Sequence, residues 1–259
     1  MRLVSLGDLA LDVVVSLAGP LLEGDDSPAT THIDIGGQAA NVAAWAASLG
    51  AQARYIGKRG ADTAALLLAT ELEARGVELA GPSEGRSAVV VSLSSAGERS
   101  LASDRGSAAQ LRPDELEPAW FRCEVLHVSG YALAREPAAA AALRAGELAR
   151  AAGAHVSLDL ASAGLIDEPF RRRALALAPA TVFATEAEQR RFGELRASWV
   201  VKRGARGIVV DGVPHAAHPT ELTDTTGAGD ALAAGYLVGG VELGLRAAAR
   251  CCARLGSMP

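Results

Sequence analysis

The stretch LTDTTGAGDALAAGYLVG, residues 222–239, sets two carboxylates, Asp224 and Asp230, around Gly227-Ala228-Gly229 at the head of an Ala/Leu helix. A helix starting near Ala228 leaves its first backbone N–H groups unpaired, with the positive end of its dipole beside them. Gly227 and Gly229 remove the side chains that would keep an anion from those groups. Such a site suits a transient anion, for example a phosphoryl group in transfer. Asp230, in the first turn, would repel a bare phosphate but accept a proton from a hydroxyl attacking one. Asp224, Thr225 and Thr226 add oxygens behind the loop, fitted either to a cation or to holding the turn. A plain capped helix also begins with Asp, Thr and Gly. A Rossmann fingerprint fits poorly, because Leu232 stands where the third glycine belongs. Neither lysine, Lys58 or Lys202, follows a GxxxxG run, which excludes a P-loop.

Outward from this stretch, short apolar runs alternate with helical patterns. Strands are expected at 2–6, 53–57, 125–129, 155–160, 181–183, 199–202 and 207–211. Helices are expected within 37–50, 62–76 and 136–153, each closed by a glycine. Strand–helix–strand alternation predicts an α/β fold, a mostly parallel sheet with helices on both faces. Residues 12–35 and 87–104 break the rhythm. The second holds two β-like runs around a turn at Ala96-Gly97. Together they predict a small antiparallel layer, a flap over a cleft.

The totals agree with one soluble domain across the 259 residues. A net charge of −5 gives no basic face for nucleic acid. No run is read as a span of about 20 apolar residues, so no membrane is expected. Cys123, Cys251 and Cys252 are too few for a disulfide scaffold or a zinc site, which points to the reducing cytoplasm. GPSEG at 81–85 has the G-x-S-x-G form of a hydrolase, but Pro82 places it in a loop before a β-run. His127 and His155 read as core residues. His215 and His218 lack the partners of a metal site.

DTTGAGD at 224–230 resembles the C-terminal signature of the ribokinase, or PfkB, family of carbohydrate kinases. GGQAANVAAWAASLGAQARYIGKRGAD at 36–62 resembles the family's other signature, and the similarity runs from about Leu3 to Gly256. The resemblance implies a ribokinase-like three-layer α/β/α sandwich, a single domain with a small β lid from segments 12–35 and 87–104. It implies ATP-dependent phosphorylation of a sugar hydroxymethyl group. Asp230 is then the catalytic base, and Gly227, Ala228 and Gly229 form the anion hole. Asp12, Gly36, Gly37 and Asn41 bind the substrate. Thr185, Glu188, Lys202, Gly204 and Gly207 bind ATP. Glu188 holds Mg²⁺ through water, and Asp224 and Thr226 mark a site for a monovalent cation such as K⁺.

The sequence departs from the family pattern in three places. Thr185 replaces the usual Asn of Asn-x-x-Glu, and Gln38 stands where several sugar kinases have lysine. The stretch between Glu188 and Lys202 is short, which implies a trimmed helix. Two further readings stay open: a ribonucleoside kinase of the same family, with Tyr131 or Trp45 in a larger pocket, or a catalytically impaired sugar- or nucleotide-binding protein. Asp104, Arg105, Ser129 and Gly130 are further candidates for the acceptor pocket, and Asp159 for a supporting network. Exposed flap edges predict a homodimer through the lid.

Overall fold

A computed structural model describes residues 1–95 and 98–259, so the turn expected at Ala96-Gly97 lies outside the described residues. The chain runs β1 (Arg2–Leu6), β2 (Ala10–Leu17), β3 (Ala29–Gly36), α1 (Gln38–Ser48), β4 (Gln52–Ile56), α2 (Thr63–Ala74), β5 (Val77–Ala80), β6 (Ala88–Ser95) and β7 (Glu98–Asp104). It continues with β8 (Val125–Ser129), α3 (Gly130–Leu133), α4 (Ala138–Ala151), β9 (His155–Asp159), α5 (Glu168–Leu177), β10 (Thr181–Thr185) and α6 (Glu186–Phe192). The last elements are β11 (Ser198–Lys202), β12 (Ile208–Val210), β13 (Val213–His215) and α7 (Ala228–Cys252).

Nine strands form the main sheet in the order β13-β12-β11-β10-β9-β8-β1-β4-β5. It is parallel except at β12 and β13, which fold back as antiparallel strands. Strand side chains alternate between two apolar layers, as a sheet covered on both faces requires. Leu3, Phe183 and Val200 pack with α1 and α7, whereas Val4, Leu126, Val182 and Ala184 pack with α4 and α5. The expected α/β/α sandwich is therefore present.

The second sheet has the order β3-β2-β6-β7. It was expected to be antiparallel, and its outer pairs are, but its central pair β2–β6 is parallel. The reason is topological. β2 follows β1 and β6 follows β5, so both leave the main sheet from its carboxyl edge and run outward together.

α7 carries the anion-hole turn and much of one core layer. By length and hydropathy alone it matches a membrane span. Its non-helical Gly239 and Gly240 kink it, and Ala231, Ala233, Ala234 and Ala247 are fully buried in the core beside α1.

β9 is followed by Ala161, whose φ of 65° lies in the left-handed region that disfavours a Cβ. That conformation turns the Ala161 N–H back onto Asp159 Oδ1, 2.9 Å away. Ala161→Gly is expected to keep this bond and raise stability by about 1 kcal/mol, or roughly 2–4 °C in melting temperature. A calorimetric melt checks it.

Candidate active site

The carboxyl ends of β1, β8, β9, β10 and β11 line one edge of the main sheet. Ser129 pairs in register with Asp159, and Thr185 with Lys202. Open α/β sheets bind ligands at this edge, where the strand order reverses. Here the reversal falls between β1 and β8. The lid strands leave from the same edge, and α7 begins against it.

Asp230 occupies the first turn of α7. Its Oδ2 accepts a 2.7 Å hydrogen bond from Asn41 Nδ2 on α1. Ser257 Oγ donates to Asn41 Oδ1 at 3.1 Å, so the amide is engaged at both ends and aims its NH₂ at the carboxylate. Ser257 is itself held by Trp45, whose Nε1 donates to its carbonyl at 2.8 Å. Burial pushes the Asp230 carboxyl up to about 7. Asp159 and Asp8 add to the rise, while Asn41 and Lys202 partly offset it. A carboxylate poised near neutral pH suits a general base. Asn41, expected to bind substrate hydroxyls, thus also positions the Asp230 carboxylate.

The expected anion hole is narrower than three amides. Ala228 N–H bonds to Thr225 O at 3.2 Å, and Asp230 N–H to Gly227 O at 3.0 Å, so of these amides those of Gly227 and Gly229 have no backbone partner among the described residues. Gly227 has φ 77°, and a Cβ there would lie 2.6–2.8 Å from Ser257. Only glycine fits this position. Asp224 Oδ1 accepts from Thr226 N and Oγ1 at 2.9 and 2.8 Å, and Asp224 Oδ2 accepts from Gly256 N at 3.2 Å. These bonds hold the turn in place.

Among the residues expected to bind the acceptor, the Asp12 carboxylate lies against the backbone of Gly36, where a Cβ would stand 2.2 Å from its Oδ2. A Cβ on Gly37, at φ 101°, would stand 2.6 Å from the Asp8 carbonyl oxygen. Gly36→Ala is expected to push Asp12 aside and raise the acceptor KM at least about tenfold, because one carboxylate hydrogen bond to a hydroxyl is lost. Nucleotide affinity should stay unchanged, as calorimetric titration would record.

Asp8 is buried here. It meets Ser129 Oγ at 3.3 Å and Arg105 at 3.6 Å. The Arg105 guanidinium lies 4.4 Å from the Tyr131 ring centre, and Gln38 accepts from Ser129 at 2.6 Å. Arg105, Ser129 and Tyr131 are therefore brought together around Asp8 and Gln38. The signal for Asp8 was its place directly after Gly7, the residue that follows β1. Asp104 lies 3.1 Å from exposed Arg86.

The start of α7 also borders a cleft of about 680 Å³. Thr185, Lys202, Gly204, Gly207, Ala228 and Gly229 line it, with Ile208, Leu222, Leu245 and Ala248 as an apolar wall. The expected nucleotide residues converge here, except Glu188. That side chain is buried, and its Oε2 accepts the Thr185 N–H at 2.7 Å while Thr185 Oγ1 accepts the Glu188 N–H, a capping box for α6. Thr185 thus does cap chemistry where Asn was usual. α6 spans seven residues, the short form expected. Among the described residues no group of three or more His, Cys, Asp or Glu forms a metal cage. Lys202 Nζ pairs with Asp159 Oδ2 at 2.7 Å. His127 is a core residue bonded to Ser157 and pushed down to about 4 by burial. Ser83 of GPSEG bonds to the Gly60 carbonyl, which is loop chemistry.

Comparison with known proteins places the chain in context. The sequence pattern described as pfkB family carbohydrate kinase matches residues 2–258. A fructokinase of Escherichia coli is 31% identical over 269 residues, covering 93% of this chain and 84% of that one. Probable fructokinase-3 of Arabidopsis thaliana is 37% identical over 164 residues, 61% of this chain and 47% of the relative. The chain spans about half the length of such plant relatives. Among solved structures, an adenosine kinase from Sinorhizobium meliloti aligns with a TM-score of 0.85 at 25% identity, over 100% of this chain and 95% of that one. An uncharacterized sugar kinase of Pyrococcus horikoshii in complex with ATP shares the fold, with a TM-score of 0.85 at 20% identity over 99% and 95% of the two chains.

Proposed function

Because the chain belongs to the pfkB family of carbohydrate kinases, we propose that it transfers the γ-phosphoryl group of ATP to a hydroxymethyl group of a sugar. One observation carries this reading: Asp230, held by Asn41 and raised to about 7, stands at the head of α7 directly after Ala228 and Gly229, which line the nucleotide cleft. The acceptor lies under the lid against Asp12, Gly36 and Gly37. Its oxygen forms a bond to the γ-phosphorus as the bond from that phosphorus to the bridging oxygen of ADP breaks. The hydroxyl proton passes to Asp230. The amides of Gly227 and Gly229 stabilise charge on the phosphoryl oxygens. ATP lies in the cleft beside Thr185, Gly204 and Gly207.

Mg²⁺ would arrive on the nucleotide phosphates, neutralising their charge. A site without a protein cage fits a metal bound through substrate and water, with Glu188 as the water-mediated partner. K⁺ dependence at the Asp224–Thr226 turn belongs to the same proposal. The enzyme works in the reducing cytoplasm, in keeping with its three free cysteines. Exposed Ile33 and Leu101 on the outer lid strands β3 and β7 support pairing of two copies through their lids.

The fructokinase likeness over 93% of the chain favours a sugar. The nucleoside reading keeps Tyr131 but loses Trp45, which is fully buried and bonded to Ser257. ADP release from Mg-ATP is the test, run with fructose, other sugars and nucleosides, with and without K⁺. One sugar is expected to give turnover above an Asp230→Asn blank. Turnover with nucleosides alone would select the second reading. Nucleotide binding without transfer to any acceptor would point to an impaired binding protein.

A further inference from the structure

Lys202 closes β11 and Asp159 closes β9, with β10 between them. Their side chains meet over the sheet edge at 2.7 Å. Asp159 is 1% exposed, and its second oxygen accepts the Ala161 N–H, so the carboxylate is fixed from both sides. The lysine stem runs along the start of α7. A Cβ built on Gly229 would lie 3.4 Å from Lys202 Nζ and 3.5 Å from its Cδ. The ammonium therefore sits beside one of the two amides left for an anion, and it lines the nucleotide cleft. Burial works against the charge, but Asp159 more than offsets it, with Glu188 and Asp230 adding, so Lys202 stays protonated beyond its ordinary range. A buried ion pair is a weak source of stability. Its position in a cleft calls for another account.

We propose that Lys202 is a catalytic cation that contacts the transferring phosphoryl group, and that Asp159 is the positioning residue that aims it there. The inference rests on the kinase reading of the site. Two amides offer only partial positive charge to a group whose three oxygens carry charge in the transition state. The ammonium supplies the rest. It keeps its own proton, and the acceptor's proton still goes to Asp230. Asp159 has a second effect. It gives Lys202 a fixed partner, so the ammonium does not settle onto Asp230 and block the base.

Calorimetric binding of Mg-ATP and Mg-ADP separates this role from a structural one, because only ATP brings the transferable group. Lys202→Met is expected to weaken Mg-ATP about tenfold and to leave Mg-ADP within about twofold, the loss of one charge-assisted contact. Turnover should fall about 100-fold. Asp159→Asn should show the same selective loss, and the double variant should be no worse than Lys202→Met, since Asp159 acts through the lysine. The double variant leaves no unpaired buried charge. Asp159→Glu keeps the charge while moving it by one carbon, so it reports on aim even where Asp159→Asn folds poorly. Equal weakening of ATP and ADP, no weakening, or additive losses in the double variant would overturn the proposal and leave the kinase reading standing. Wild-type protein that binds neither nucleotide would remove the kinase reading, and this proposal with it.

Discussion

Asp230→Asn is expected to lower kcat about 10³-fold while making the protein more stable at pH 8. The loss follows from removing a general base, an effect of roughly 10²–10⁴ in rate. The gain follows from linkage. The carboxyl goes from its ordinary 3.8 to about 7 on folding, chiefly through burial. Between those values the folded protein keeps a proton that the unfolded chain releases, so stability falls as pH rises through that window. Above pH 7 the ionised group is buried at a cost that Asn does not carry. Asn can still accept the hydrogen bond from Asn41. Melting temperature should therefore rise in the variant at pH 8, by about 2–4 °C for each kcal/mol recovered, and the difference should shrink toward pH 4. Melts at both pH values beside a turnover assay check the pair of effects. A variant that loses stability along with activity would mark Asp230 as a structural residue.

Gly227→Ala should behave in the opposite way and lose both together. Its φ of 77° costs an alanine about 1–2 kcal/mol. The added Cβ would press on Ser257 at 2.6–2.8 Å, and two of the three nearest atoms are backbone, which cannot swing aside. Overpacking of that kind costs roughly 1–3 kcal/mol more. The sum, about 2–5 kcal/mol, corresponds to a fall of roughly 5–15 °C in melting temperature. Ser257 also orients Asn41, so moving it disturbs Asp230. The Gly227 amide shifts as well, and kcat should fall at least about 100-fold. Urea unfolding with parallel turnover measurements gives both numbers. Wild-type stability with a reduced kcat would mean that the Ser257 segment yields freely and is no part of the support.

What could be read from the sequence was mostly what is local. Glycines and carboxylates within seven residues at 224–230 declare a helix start and its chemistry, because the backbone geometry there depends on neighbours alone. The buried strands were legible as apolar runs because the sheet is covered on both faces. Long-range partners were not legible. Asp159 and Lys202 lie 43 residues apart, and only the order of β9, β10 and β11 brings them together. Ser257, 216 residues from Asn41, reaches it by the same kind of tertiary accident. The parallel pairing of β2 with β6 follows from where the two strands leave the core, which no strand pattern records. Lys58 shows the reverse case. A lysine in a Gly-rich stretch invites a site reading, yet it is buried between Glu84 and Glu115 as a brace.

The central claim, transfer of a phosphoryl group with Asp230 as base, is tested most directly by following γ-labelled phosphate from Mg-ATP to fructose between pH 5.5 and 8.5. The prediction is a labelled sugar phosphate whose kcat/KM rises about tenfold per pH unit up to near 7 and then levels, with Asp230→Asn close to the blank throughout. Label that reaches the sugar at a rate independent of both pH and Asp230, or that reaches none of the acceptors while ATP binds, would contradict it.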